Sequence, residues 1–206
     1  MFVIYLLLTL LAVGLALALQ PWRAVEAEGP PWPWLFWLAV MPLMWGADQY
    51  AHMPIIQPLS GACLLVLLAG WPLAVLGMVA VSVFTTVVAD LSWWEGLSRL
   101  VWLGLLPGTL AFGIGLLIRR WLPNHVFVFI LGRGFLGSVL AGSLAGWIGL
   151  WVEGVPAGSD GGDMMIGRWL AAWGDAFLTG MFTAIFVALR PQWLATYSDR
   201  IYLDRR

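Results

Sequence analysis

Long apolar runs separated by short polar segments fill most of the chain. The longer runs reach the roughly 20 residues that a helix needs to cross a bilayer. Cutting the runs at charges, Pro and Gly predicts seven helices, at about 2–19, 33–46, 56–69, 73–89, 100–118, 125–151 and 166–189. The pattern therefore predicts an all-α, polytopic integral membrane protein.

The second and third predicted helices are short for a straight span. Such segments can be tilted, re-entrant or buried by neighbouring helices, so six helices is the alternative count. For the first run a signal peptide is the alternative. However, no basic residue precedes Arg23, and the run is about long enough to span. We therefore expect a retained helix.

Composition supports the membrane assignment, since 62% of the residues are hydrophobic and only 10% are charged. A soluble domain carries about 25% charged residues. The 15 Trp residues suit membrane interfaces, where indoles are enriched. We expect one membrane domain over 1–206, with a polar tail from about 190 to 206. The net charge of −1 gives no reason to expect nucleic-acid binding.

Arginines, the only basic residues besides two His, predict the orientation, because positive charge favours the cytoplasmic side. The tail and the turn between the fifth and sixth predicted helices carry most of them, at Arg119, Arg120, Arg190, Arg200, Arg205 and Arg206. With seven spans these positions share one side. We therefore expect a multi-pass protein of a bacterial inner membrane, with the N-terminus outside and the C-terminus cytoplasmic.

Small residues recur every four positions in the sixth predicted helix, at Gly134, Ser138, Gly142 and Gly146. Such a face lets helix backbones approach closely. We expect it to pack within the chain, with a dimer interface as the alternative.

Two charges fall within predicted spans, Arg133 in the sixth helix and Asp175 in the seventh. Counted at about 1.5 Å per residue from opposite membrane faces, they lie near the same depth. Charges at that depth are costly and often functional. They form either a structural ion pair or part of a substrate or ion site.

Polar residues also gather at the predicted outer loops and helix ends, at Asp48, His52, Met53, Asp90, Glu95 and Glu153. His, Met and carboxylate can bind a transition metal, although no H-x-x-H spacing is present, and solvated loop residues are the simpler interpretation. Cys63 is either a small apolar filler or a soft metal ligand. We find no hydrolase, metalloprotease or P-loop motif and expect no enzyme. ATP-driven work would need partner subunits.

Several stretches together carry a resemblance: 67–74 (LLAGWPLA), 122–129 (LPNHVFVF) with 134–137 (GFLG), 174–181 (GDAFLTGM), 190–194 (RPQWL) and 199–203 (DRIYL). Over roughly 45–206 the chain resembles small bacterial membrane proteins labelled energy-coupling factor transporter permeases. That family is distantly similar to cobalt and nickel permeases, which are seven-helix substrate-binding components with an outward N-terminus.

The resemblance implies a similar fold, ATPase and coupling subunits as partners, and a transition metal or a cobalamin as substrate. The metal-binding His residues of the cobalt and nickel permeases are not matched. Position 2 is Phe2, and no His lies within 57–63. Asp175 stands where the family has an acidic residue before Phe-x-x-Gly-Met, which makes it the best single site candidate.

Two functions follow as expectations. The first is a substrate-binding or permease component that takes a small solute into an outward cavity near His52, Asp90, Glu95 and Asp175. The alternative is a non-transporting accessory or assembly subunit of a larger membrane complex. The unmatched metal ligands and the small-residue face favour the alternative.

Overall fold

The structure, a computed structural model, describes residues 1–21, 32–51, 56–156, 158–198 and 202. The described part forms helices and no strands. Four helices are long and apolar enough to cross a membrane: Trp71–Val88, Trp93–Trp121, Val128–Glu153 and Gly161–Leu189. The all-helical, membrane-embedded architecture is confirmed. The expected seven crossings do not follow from these four helices alone.

The helices follow one another with short connections. In chain order they are α1 (Phe2–Ala18), α2 (Trp32–Trp45), α3 (Ala47–Ala51), α4 (Ala62–Ala69), α5 (Trp71–Val88), α6 (Trp93–Arg99), α7 (Leu106–Trp121), α8 (Gly137–Glu153) and α9 (Gly161–Leu189). Two π-helical stretches, Leu100–Leu105 and Val128–Leu136, precede α7 and α8, and a 3₁₀ turn, Pro191–Trp193, follows α9.

The bundle has two ends. At one end Tyr5 of α1 stacks on Trp94 of α6 and donates a hydrogen bond to Glu153 at the close of α8. At the other end the residues after α9 reach α4, where Thr196 donates to the carbonyl of Leu67. We name these the cavity end and the tail end.

Among the predicted boundaries that were wrong, two bear on the architecture described below. The third helix begins at Ala62 rather than at 56, and Gly61 before it adopts a left-handed φ of 66°. The predicted loop at 90–99 is helical from Trp93, because Ser92 and Glu95 form a reciprocal capping box. Each side chain accepts a hydrogen bond from the other residue's backbone N–H, which satisfies two free donors at the start of the helix.

The small-residue face packs inside the chain, as expected. A Cβ added at Gly142 would lie 3.0 Å from the Cβ of Ala172 in α9, and one at Gly134 would lie 3.0 Å from Thr183. Ser138 is buried between them. Close approach of α8 and α9 therefore accounts for this repeat.

The outer faces of the helices are apolar. Leu11 of α1, Val87 of α5 and Phe177 of α9 are 61%, 67% and 63% exposed. Soluble proteins rarely expose so large an apolar surface to water, whereas lipid chains can contact it favourably. These faces are the expected contacts with the bilayer.

Candidate functional site

A non-helical segment, 56–61, enters the middle of the bundle ahead of α4. Two indoles hold its backbone: Trp37 Nε1 donates to the carbonyl of Gly61 (2.8 Å), and Trp45 Nε1 donates to that of Ser60 (2.7 Å). Irregular backbone at membrane depth must find such partners within the protein. The tryptophans of α2 therefore stabilise the non-helical backbone of 56–61, where the sequence predicted the start of the third helix.

Ser60 joins this segment to the helix that begins at Trp93. Its hydroxyl donates to the carbonyl of Leu103 at 2.6 Å and accepts from the backbone N–H of Ala62 at 3.0 Å. Pro107 has no N–H for the carbonyl four residues before it, which is that of Leu103. The Ser60 hydroxyl supplies a donor there.

Asp175 lies at the start of α4 although it belongs to α9. Its Oδ1 accepts from the backbone N–H of Gly61 at 2.9 Å, and the residue is 7% exposed. The N-terminus of α4 carries free N–H groups and the positive end of the helix dipole, both of which favour a carboxylate. A small cavity of about 10 Å³ adjoins Asp175, with Gln57, Pro58, Trp102 and Ala145 in its wall.

A second cavity, of about 170 Å³, shares those four wall residues and leads toward the cavity end. Its polar lining consists of Asp48, Gln57, Ser98, Arg99, Glu153 and Arg168. A third cavity, of about 410 Å³, shares Ser98, Arg99 and Glu153 with the second and adds Tyr5, Trp94 and Glu95. The three adjoining cavities lead from the cavity end to Asp175, and we name them the polar path after the lining of the outer two. The innermost has room for at most about one water molecule.

Arg99 and Asp48 form a two-pronged ion pair in the wall of the second cavity. Arg99 Nη1 and Nη2 each lie 2.7 Å from one carboxylate oxygen of Asp48, and Nη1 also donates to the carbonyl of Trp45. The hydrogen bond from Arg99 lowers the pKa of Asp48. The pair fastens α3 to α6 and neutralises both charges.

Glu153 joins three elements at the mouth of the path. Its Oε1 accepts from Tyr5 Oη (2.9 Å), Ser98 Oγ (2.9 Å) and Trp102 Nε1 (2.8 Å). None of the described residues donates to the other carboxylate oxygen, Oε2. The carboxylate therefore keeps one oxygen for a further donor.

Arg168 and Gln57 each carry a buried polar atom without a hydrogen-bond partner among the described residues. For Arg168 the atom is Nε, while Nη1 donates to the carbonyl of Gly146 at 2.9 Å. For Gln57 it is Oε1. Both side chains line the second cavity, so a donor and an acceptor are left open beside the same space.

The predicted site residues are only partly brought together. Glu95 lines the outermost cavity and caps α6, while Asp175 lies at the inner end of the path. Asp90 is exposed in the turn after α5, with φ of 51°, and lines none of these three cavities. His52 and Met53 lie outside the described residues.

Arg133 and Asp175 do not contact each other in the structure. They form no ion pair, since the described residues form one salt bridge, between Arg99 and Asp48. The guanidinium of Arg133 lies over the ring of Phe129 and within 3.3 Å of Tyr202 Oη, at the tail end. The two charges were placed at one depth by counting residues, which cannot show that they face different neighbours.

In the described part of the chain, no three His, Cys, Asp or Glu side chains lie close enough together to hold a metal ion. Cys63 is buried in α4, with its Sγ 3.9 Å from the carbonyl of Pro107. That environment suits the apolar filler interpretation of Cys63.

Sequence reasoning missed Gln57, Arg99 and Arg168 as site residues. One signal was available, because Gln57-Pro58 interrupts an unusually short apolar run, and interrupted helices often surround the sites of transporters. Comparison with protein-family models, with curated proteins and with solved structures finds no match to this chain.

Proposed function

We propose that this chain is a substrate-binding component of a membrane transporter and takes up a small polar solute from the cavity end. The observation that carries the proposal is the polar path that ends at Asp175, beside a broken helix. Transporter sites are typically built from discontinuous helices whose free N-termini face the ligand. A buried carboxylate at such a place is more often functional than structural.

The proposed topology has seven crossings. In addition to the four long helices, α1 and α2 each cross once, and segment 56–61 crosses together with α4. The chain directions support this count, because Tyr5 near the start of α1 and Asp48 just after the end of α2 both lie at the cavity end, where Asp48 pairs with Arg99. Thr196 contacts the end of α4 at the tail end.

The proposed orientation follows the distribution of charge. The tail end holds Arg119, Arg120 and Arg190, whereas acidic residues cluster at the cavity end. Positive charge favours the cytoplasm. We therefore place the tail end in the cytoplasm and the cavity end outside, in a bacterial inner membrane.

The substrate remains a choice between a metal species and an organic solute. The resemblance favours a transition metal or a cobalamin, with ATPase and coupling subunits supplying the energy. The described residues favour a polar organic solute, because the path offers guanidinium, carboxylate and amide groups rather than clustered metal ligands.

An accessibility experiment tests the path. In a Cys63→Ala background, Gln57→Cys should react with a membrane-impermeant thiosulfonate added to the outside of intact cells. Thr196→Cys, at the tail end, is the matched control and should react only after the cells are opened. Failure of Gln57→Cys to react from the outside would contradict an outward path.

A binding experiment tests the function. Purified chain in lipid nanodiscs should unfold at a higher temperature with at least one solute from a panel of amino acids, cobalamin, Co²⁺ and Ni²⁺. Co-purification with a larger membrane complex, together with no response to the panel, would instead support the accessory role. The small-residue face no longer favours that role, since α9 covers it.

A further inference from the structure

Only two of the four charged side chains that line the second cavity, of about 170 Å³, form a salt bridge within the described part of the chain. Two guanidiniums and two carboxylates line it, those of Arg99, Arg168, Asp48 and Glu153. Arg99 and Asp48 are paired through both carboxylate oxygens. One cation and one anion, Arg168 and Glu153, are left without a salt bridge in the part of the chain that the structure describes.

Two buried atoms in this lining have no hydrogen-bond partner among the described residues, the donor Nε of Arg168 and the acceptor Oε1 of Gln57. A second acceptor is Oε2 of the exposed residue Glu153, to which none of the described residues donates. A ligand that satisfies all three needs an anionic acceptor at one end and a donor, best a cation, at the other.

We propose that this cavity binds a zwitterion of amino-acid size, with its carboxylate on Arg168 and its ammonium on Gln57 and Glu153. This inference rests on the proposed substrate-binding function and names the class of substrate for the same site.

Charge and size both select this class. A divalent anion such as phosphate would face the carboxylates of Asp48 and Glu153, and a simple amine would face Arg99 and Arg168. A zwitterion carries one charge for each unpaired group and leaves the lining neutral. The volume is well below the roughly 300–1,000 Å³ of pockets for drug-sized ligands, which agrees with a small solute.

Gly146 makes room for the arrangement. A Cβ at this position would lie 3.1 Å from Gln57 Oε1 and 3.1 Å from the Cβ of Arg168. The carbonyl of Gly146 also accepts from Arg168 Nη1, which holds the guanidinium against α8. Gln57 Oε1 and the aliphatic stem of Arg168 therefore both pack against this glycine.

The test measures thermal unfolding of the full chain in nanodiscs with each of the 20 common amino acids. For any amino acid that stabilises the protein, the matched amine without the carboxylate and the matched acid without the amine are added separately. We expect at least one amino acid to raise the unfolding temperature and both matched analogues to raise it much less.

Variants then locate the site by calorimetric titration of the responding amino acid. Arg168→Gln should weaken binding at least about tenfold, because a charged hydrogen-bond partner is lost. Gln57→Leu should weaken it by roughly threefold to tenfold and should fold normally, since Oε1 has no partner to lose in the described part of the chain. Arg120→Gln, an exposed arginine at the tail end, is the charge-matched control and should bind as the wild type does.

Three results would overturn the inference: no amino acid stabilises the protein, the one-charge analogues bind equally well, or Gln57→Leu and a folded Arg168→Gln both bind normally. If Arg168→Gln does not fold, Gln57→Leu decides alone. A response to Co²⁺, Ni²⁺ or cobalamin without any amino-acid response would remove this inference and keep the proposed function. No response to any solute would remove both.

Discussion

The two ends of α4 are held by opposite kinds of chemistry. At its start, facing the cavity end, a carboxylate from α9 accepts from the N–H of Gly61, and polar cavities continue outward. At its close, facing the tail end, backbone N–H groups of Ala195 and Thr196 donate to the carbonyls of Leu68 and Leu67. A helix leaves N–H groups free at its start and carbonyl groups free at its end, and these two sets of bonds satisfy some of both.

The ends differ as well in what surrounds these bonds. Rings of Phe129, Tyr197 and Tyr202 pack at centroid distances of 4.9–5.3 Å over the tail end. The cavity end leaves Gln57 and Arg168 with open hydrogen-bonding atoms. One end is therefore closed by apolar packing, and the other contains polar cavities. The proposed uptake from one side requires such an asymmetry.

The largest expected effect comes from a pair of equal substitutions at the two ends of one continuous helix, Trp93–Trp121. A Cβ at Gly96 would lie 1.9 Å from Thr86 Oγ1 in α5, whereas a Cβ at Gly113 meets nothing within 4 Å. Gly96→Ala should cost about 3 kcal/mol by forcing α5 and α6 apart. Gly113→Ala should be neutral or slightly stabilising, since Ala favours helix.

Thermal unfolding in nanodiscs measures both variants. Equal stability of the two proteins would mean that α5 and α6 do not meet as closely at the cavity end as the structure places them.

Asp175→Leu tests the bond at the start of α4. The substitution leaves the N–H of Gly61 buried without an acceptor, which should cost about 2 kcal/mol. Asp175→Asn is the matched control, because its amide oxygen can still accept from Gly61, and it should stay within about 0.5 kcal/mol of the wild type.

Unfolding temperatures of the wild type, Asp175→Leu and Asp175→Asn show whether the hydrogen bond or the charge of Asp175 stabilises the fold. If Asn destabilises as strongly as Leu, the charge of Asp175 supports the fold, and the hydrogen bond alone does not explain its burial.

Sequence patterns predicted the helices well because burial in lipid needs long apolar runs. Contacts between distant residues could not be predicted in this way. The partner of Asp175, the N–H of Gly61, is 114 positions away. That N–H is free because Gly61 directly precedes the first turn of α4, after a non-helical segment. The helix start at Trp93 could have been predicted, since Ser92-x-x-Glu95 is a capping-box pattern.

Thr196→Val tests the closed end. The hydroxyl of Thr196 donates to the carbonyl of Leu67 at 3.0 Å, and its loss should weaken docking of the tail by about 1 kcal/mol. Chymotrypsin should then cleave after the buried Tyr197 about fivefold faster. Thr9→Val is the control, because Thr9 Oγ1 lies in α1 and is buried without a partner among the described residues. A tail that is cleaved at the wild-type rate would show that this bond does not hold it.

The smallest expected effect is the pH dependence of the Arg99–Asp48 pair in the cavity wall. The hydrogen bond from Arg99 lowers the pKa of Asp48 below its ordinary value of 3.8. A lowered pKa means that the pair stabilises the fold above about pH 4, and that this stabilisation is lost as the pH falls through the folded-state pKa. The pair is partly exposed, so its contribution is about 1 kcal/mol or less. Wild type should exceed Asp48→Asn in unfolding temperature at pH 6, and the difference should shrink as the pH falls below 3.8. If the difference in unfolding temperature stays constant over that range, the charge of Asp48 does not contribute to stability. The ion pair would then not stabilise the cavity end.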